Sequence, residues 1–152
     1  ARFQLTVLVP EKWLAVSNMP VESETLLNGR DGPPGRPQLH APSGSFGGRP
    51  LPAQSGMKEV RFASTPPMSS YLNVFVAGEL DFIESQVGPT QIRVIATKGK
   101  AELGRYALES SAQILKYYND YFGVPYPLPK LDQIAIPGGF GGAMENWGGI
   151  TY

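Results

Sequence analysis

The sequence predicts a mixed fold: antiparallel β-sandwich material over its first two thirds, then a long helix that returns to strand. Three observations carry this. Up to residue 97 the apolar residues recur with a period of 2 in short runs separated by Pro and Gly; beyond Lys98 they recur at helical spacing; and a last apolar run leads into a glycine-rich stretch.

The elements follow in order. Phe3, Leu5, Val7 and Val9 alternate with Gln4, Thr6 and Leu8, which sets one row of side chains against a core, and Pro10 closes the strand. Trp13 to Val16 reads as a short second strand. Lys58 to Ser64 reads as another, with Val60 and Phe62 on one face, broken by Ser64-Thr65-Pro66-Pro67. From Tyr71 to Ala77, Leu72, Val74 and Val76 alternate with Tyr71, Asn73 and Phe75; Gly78 marks a bulge or kink before Leu80, Phe82 and Ile83. Gln91 to Thr97 is a further strand after the Gly88-Pro89 turn. Strands so closely spaced suit an antiparallel sandwich.

From Lys100 to Phe122 the residues Leu108, Ala112, Leu115, Tyr118 and Phe122 fall on one helical stripe, and Gly123 with Pro125, Pro127 and Pro129 stops the helix. A domain boundary is therefore placed near residue 98. Tyr117, Tyr118 and Tyr121 could form a binding platform, but aromatic residues at helical spacing are read here as core or half-buried packing. Leu131 to Ile136 is the strand that leads into the glycine-rich stretch.

Composition narrows the function classes. The 152 residues carry 13 Lys plus Arg against 13 Asp plus Glu, so no general attraction to nucleic acid or anionic lipid is expected. No cysteine is present, which excludes disulfides and thiolate metal sites. Apolar runs stay far below the roughly 20 residues of a membrane helix. Gly and Pro number 18 and 15, and 7 Gly and 6 Pro of these crowd into the 29 residues from Asn28 to Gly56. That stretch has neither apolar period and too few large apolar side chains to offset the entropy of ordering it, so it reads as a flexible, semi-extended surface insertion; a partner-binding loop is the alternative. His40 lies inside it and reads as a solvated loop residue.

The stretch from Pro137 to Tyr152 carries the chemistry. Four glycines precede Ala143, leaving backbone N–H and C=O groups that another chain can approach closely, as in ligand binding by strand addition. Glu145 follows, flanked by the Asn146 amide. A carboxylate at the end of such an edge can hold a free α-amino group through charge-assisted hydrogen bonds worth about 1.5–3 kcal/mol. A solvated loop charge is the plain alternative for Glu145.

Gly142-Ala143-Met144-Glu145-Asn146, with Trp147-Gly148, resembles the GAMEN motif of the gluzincin zinc aminopeptidases, the family of aminopeptidase N and puromycin-sensitive aminopeptidase. The resemblance extends to Phe3–Pro10, Ala15–Pro20, Phe62–Met68 with Ser70-Tyr71-Leu72, and Tyr121–Pro127. It implies a saddle-like N-terminal β domain to residue 97, with 28–56 a longer connection than usual, and then the α+β start of a thermolysin-like catalytic domain over 98–152. It implies a metallopeptidase that removes single residues from peptides with a free N-terminus. Glu145 would bind the substrate α-ammonium, Gly142 and Ala143 would offer backbone groups, Met144 would line the pocket for the N-terminal side chain, and Asn146 would support Glu145. Trp147 is expected to pack beneath the motif.

In that family one zinc ion is held by an H-E-x-x-H helix and a later Glu, with the motif's Glu as general base and a downstream Tyr assisting. All of these lie beyond GAMEN. Two ligating histidines cannot come from a chain with one, so the expectation is a segment that ends before the zinc site, holds no metal ligand or catalytic residue and is inactive alone. The rival readings are a non-catalytic peptide-binding or scaffold member of the same fold, and epoxide hydrolysis as in the leukotriene branch, against which Ala143 leans. With neither Cys nor an N-x-S/T sequon, a cytoplasmic location is expected.

Overall fold

A computed structural model describes residues 1–27, 56–138 and 141–152 of the chain. The expectations for the 28–56 insertion, apart from Gly56, and for His40 lie outside the described residues.

Nine strands and one long helix make up the described residues. β1 (Thr6–Pro10), β4 (Met57–Phe62) and β3 (Val21–Leu27) form an antiparallel sheet in the order β1-β4-β3, and β2 (Leu14–Ser17) pairs with β5 (Phe75–Gly78) in an antiparallel ribbon. β6 (Leu80–Val87), β7 (Thr90–Thr97), β8 (Lys130–Ile134) and β9 (Gly149–Thr151) form a mixed sheet in that order. In it β6 and β7 are an antiparallel hairpin, while β8 runs parallel to both β7 and β9. The fold is thus mixed, as the sequence predicts.

The ribbon lies between the two sheets because its side chains alternate. Ala15 and Ala77 pack with Val9, Val60 and Phe62 of the first sheet; Val16 and Val76 pack with Ile95 and Ile134 of the second. Each face of the ribbon therefore buries apolar surface, the main favourable contribution to holding three layers together. On the far side of the mixed sheet, Leu108 and Leu115 of α1 (Arg105–Phe122) pack on Ile92 and Val94. α1 is the crossover that parallel β7 and β8 require. Residue 98, where the sequence reading places a boundary, lies between two strands of this one sheet.

Several elements differ from expectation. β3 was not foreseen: all its residues except Leu27 are exposed, and as an edge strand it is tied to β4 by Glu22 with Arg61 at 2.8 Å and Glu24 with Lys58 at 2.9 Å. Residues 70–72 form a 3-10 turn before β5, although Val74 still points inward. A 3-10 turn at Ala101–Gly104 precedes α1, which begins at Arg105 rather than Lys100 and ends at Gly123 in the left-handed conformation. The aromatic residues of α1 are not core. Tyr118 is 49% exposed, Phe122 65%, Tyr117 59% and Tyr121 68%. The sheet buries Leu108 and Leu115, while the aromatic rings near the C-terminal end lie against one another, with centroids 5.7 Å apart for Tyr117 and Tyr121 and 5.0 Å for Tyr121 and Phe122. Among the described residues no helix is long and apolar enough to cross a membrane.

Candidate functional site

After β8 the chain leaves the sheet, passes through the glycine-rich loop and returns as β9. The return is pinned by an isolated antiparallel bridge: the Met144 N–H donates to Thr151 O at 2.9 Å and the Thr151 N–H to Met144 O at 3.1 Å. Between them the Gly149 N–H donates to Asn146 O at 3.1 Å, closing a turn over Asn146–Gly149.

The three residues after Glu145 are each tied to the chain around β2 and β5, Gly148 by way of Lys130 of β8. Asn146 is buried, and its Nδ2 donates to Asn73 O at 3.0 Å. Trp147 O accepts from Asn18 Nδ2 at 2.7 Å. Gly148 O accepts from Lys130 Nζ at 2.7 Å, and the same ammonium donates to Ser17 O at 2.7 Å and Asp132 Oδ2 at 2.6 Å. Arg93 completes the cluster with a two-pronged contact to Asp132 at 2.7 and 2.6 Å. Gly148 has φ +71°, and a Cβ there would stand 2.2 Å from Asn18 O, so only glycine lets the loop lie this close to β2.

The half of the loop before Asn146 is different. Gly142, Ala143 and Glu145 are exposed, and among the described residues their backbone groups make no hydrogen bond. Met144 is half-buried and committed to its bridge. Among its described residues the loop thus has open backbone at Gly142 and Ala143, a bridge at Met144, an exposed carboxylate at Glu145 and a fixed C-terminal half.

Beside it lies a mostly apolar groove of about 660 Å³ between α1, the 124–127 turn and β9. Glu145, Asn146 and Trp147 reach it, whereas Gly142, Ala143 and Met144 do not; Glu145 is the one Asp or Glu among the described residues of its lining. Trp147 is 43% exposed and lines this groove, where the sequence reading has it packed beneath the motif; its backbone, not its ring, is what the fold holds.

Buried Lys130 and half-buried Tyr126 have shifted proton affinities. Burial lowers the Lys130 pKa from its ordinary 10.5, opposed by the Asp132 carboxylate and helped slightly by Arg93. Burial raises the Tyr126 pKa from 10.0, offset in part by the Gly148 backbone and reinforced by Asp132. Among the described residues no three His, Cys, Asp or Glu side chains gather as a metal site, and the sequence has one His and no Cys. These residues do not fit a zinc ion.

Residues 106–152 match the Peptidase family M1 domain. The whole chain is 43% identical to an aminopeptidase N of Acetobacter pasteurianus, 40% to a puromycin-sensitive aminopeptidase of Caenorhabditis elegans and 39% to an aminopeptidase M1-B of Oryza sativa subsp. japonica. The chain resembles the M1 aminopeptidases from end to end. It spans 36% of the length of the Acetobacter relative and 14% of the other two. The M1 match takes in α1, β8, the motif loop and β9; the strands before α1 are matched only through the relatives.

The candidate residues that the sequence reading omits are Asn18, Lys130 and Asp132. Asn18 acts through partners far away in the chain, and nothing local in the sequence marks it. For Lys130 and Asp132 the one local signal is their spacing, since a Lys and an Asp two apart in a strand point to the same side of it.

Proposed function

We propose that this chain forms the substrate N-terminus recognition part of a zinc-dependent aminopeptidase. The observation that carries the reading is the complete GAMEN string set on a loop whose far half is bonded to Asn18 and Asn73 beside β2 and β5, while the exposed Glu145 carboxylate has no hydrogen-bond or ion-pair partner among the described residues. In this reading Glu145 receives the substrate α-ammonium. Because a second substrate residue has no free amine at that distance, the anchor limits cleavage to one residue at a time. Gly142 and Ala143 offer unpaired backbone groups to the extended substrate, Met144 borders the site of its first side chain, and Asn146 holds Glu145 in place through Asn73.

The hydrolytic metal would be zinc, and its donors are not among these residues, so no bond-breaking step is assigned to them. A cytoplasmic location is part of the same proposal, supported by the absence of Cys and of N-x-S/T sequons.

The test is hydrolysis of leucyl and alanyl chromogenic substrates by the whole protein, with and without a zinc chelator, beside Glu145→Gln. Chelator-sensitive activity is expected, with kcat/KM lowered about 10- to 150-fold in Glu145→Gln, the range set by one charge-assisted hydrogen bond. A zinc-loaded protein inactive on every such substrate would favour the non-catalytic peptide-binding alternative.

A further inference from the structure

The network behind Glu145 is denser than a surface loop needs. Three consecutive residues, Asn146, Trp147 and Gly148, are each bonded to a different point: Asn73 O, the Asn18 side chain and, through Lys130, Ser17 O. Asn18 spends its whole side chain here. Its Nδ2 donates to Leu72 O at 2.8 Å and Trp147 O at 2.7 Å, and its Oδ1 accepts from the Val74 N–H at 3.1 Å. Lys130 directs its ammonium to Ser17 O, Gly148 O and Asp132, and its side chain is 3% exposed. Both side chains therefore join the end of β2 to the loop, and Asn18 also takes in the 72–74 turn.

We propose that Asn18 and Lys130 are positioning residues for substrate-amine recognition, setting the place of the Glu145 carboxylate from the N-terminal β layers. The proposal rests on the reading of Glu145 as amine anchor. The backbone that carries the carboxylate is held on both sides, by the Met144–Thr151 bridge before Glu145 and by the bonds of Asn146, Trp147 and Gly148 after it, and of the two holds only the second reaches the N-terminal β layers. Loosening Trp147 and Gly148 removes the hold on the C-terminal side and leaves Glu145 to pivot about the Met144 bridge, and a less well-placed carboxylate costs affinity for an ammonium group while leaving apolar contacts untouched. The β layers thus act on the amine without touching it.

The test uses the whole protein and two competitive inhibitors of one shape, 3-methylbutylamine, which is charged, and 3-methylbutan-1-ol, which is not. Asn18→Ser and Lys130→Met are each expected to weaken the amine about five- to tenfold, the loss of one hydrogen bond's worth of placement, with the alcohol unchanged and substrate KM raised far more than kcat falls. In a Glu145→Gln background the same substitutions should add nothing for the amine. Equal weakening of amine and alcohol would mean a merely structural role and overturns the proposal. A selective loss in Glu145→Gln with none in the Asn18 and Lys130 variants overturns it alone; no selectivity in Glu145→Gln overturns the anchor reading and this proposal together. Should Asn18→Ser or Lys130→Met fail to fold, Asn18→Gln, which keeps the amide but displaces it from Trp147 O, must reproduce the selective loss.

Discussion

Three glycines of one loop should respond to alanine in a fixed order. At Gly148 a Cβ would meet Asn18 O at 2.2 Å, and relief to ordinary contact requires a separation of at least 3.4 Å. That movement lies between two backbones, not against a flexible side-chain end. It strains the Asn18 bond to Trp147 O and the Lys130 bond to Gly148 O, both 2.7 Å. Adding the left-handed backbone penalty at φ +71° to the weakening of these two bonds gives a loss of about 3–5 kcal/mol. Gly141 has φ +76° but no atom within 4 Å of a Cβ, so Gly141→Ala carries the backbone penalty only, about 1–2 kcal/mol. Gly142 has neither feature, and Gly142→Ala should be neutral or stabilising by about 0.4–1 kcal/mol through the unfolded chain. Denaturant midpoints of the three variants, at unchanged slope, measure the order directly. Gly148→Ala costing no more than Gly141→Ala would refute the close approach of the loop to β2; Gly142→Ala costing as much as either would refute the open backbone at Gly142.

Lys130→Met removes a cation from a cluster in which Asp132, fully buried, still keeps both contacts to Arg93. The loss should therefore fall near the lower end of the range for breaking a buried pair, about 3 kcal/mol, and Asp132→Asn, which strands two cations, should cost more in the same denaturation assay. Alkaline stability should bear the mark of both shifted groups. Tyr126 holds its proton more tightly when folded, so its contribution is complete below pH 10.0 and is lost as pH rises through the folded value; Tyr126→Phe should flatten that fall in midpoint. Lys130 holds its proton less tightly when folded, so its contribution is complete above pH 10.5 and is lost as pH falls through the folded value; Lys130→Met should remove a rise in stability approaching pH 10.5.

What the sequence reveals of this fold is what local pattern can carry. Val60, Phe62, Val74, Leu108 and Leu115 are buried where their periods put them, because period determines which side chains share a face. Period does not say how far the opposing surface extends, and so Tyr118 and Phe122 lie on the same stripe as Leu115 yet remain exposed. β3 escapes notice because Val-Glu-Ser-Glu-Thr-Leu-Leu buries only its last residue and is held by pairing with β4 and by two ion pairs, one exposed and one to the buried Lys58. At the site, the GAMEN string and the openness of its glycines are legible in the residues themselves. The fixed half is not, since Trp147 meets Asn18 across 129 positions of sequence and Lys130 meets Ser17 across 113.

A buried Lys–Asp pair is weak evidence for stability, because apolar residues of similar size often serve as well in its place. Here an apolar substitute would fail for another reason. Lys130 is the hydrogen-bond donor between Ser17 O and Gly148 O, and a methionine or leucine would leave at least the Ser17 carbonyl without this buried partner; Gly148 O would keep the Asp132 N–H at 3.0 Å. The ammonium in turn requires Asp132, and Asp132 requires Arg93 to spread its charge. The cluster follows from a geometric demand, that a strand end and a loop present carbonyls to the same point, and the loop presenting them is the one that carries Glu145. A charge buried at this cost is better explained by placing a carboxylate than by holding a sheet, whose apolar layers already pack without it.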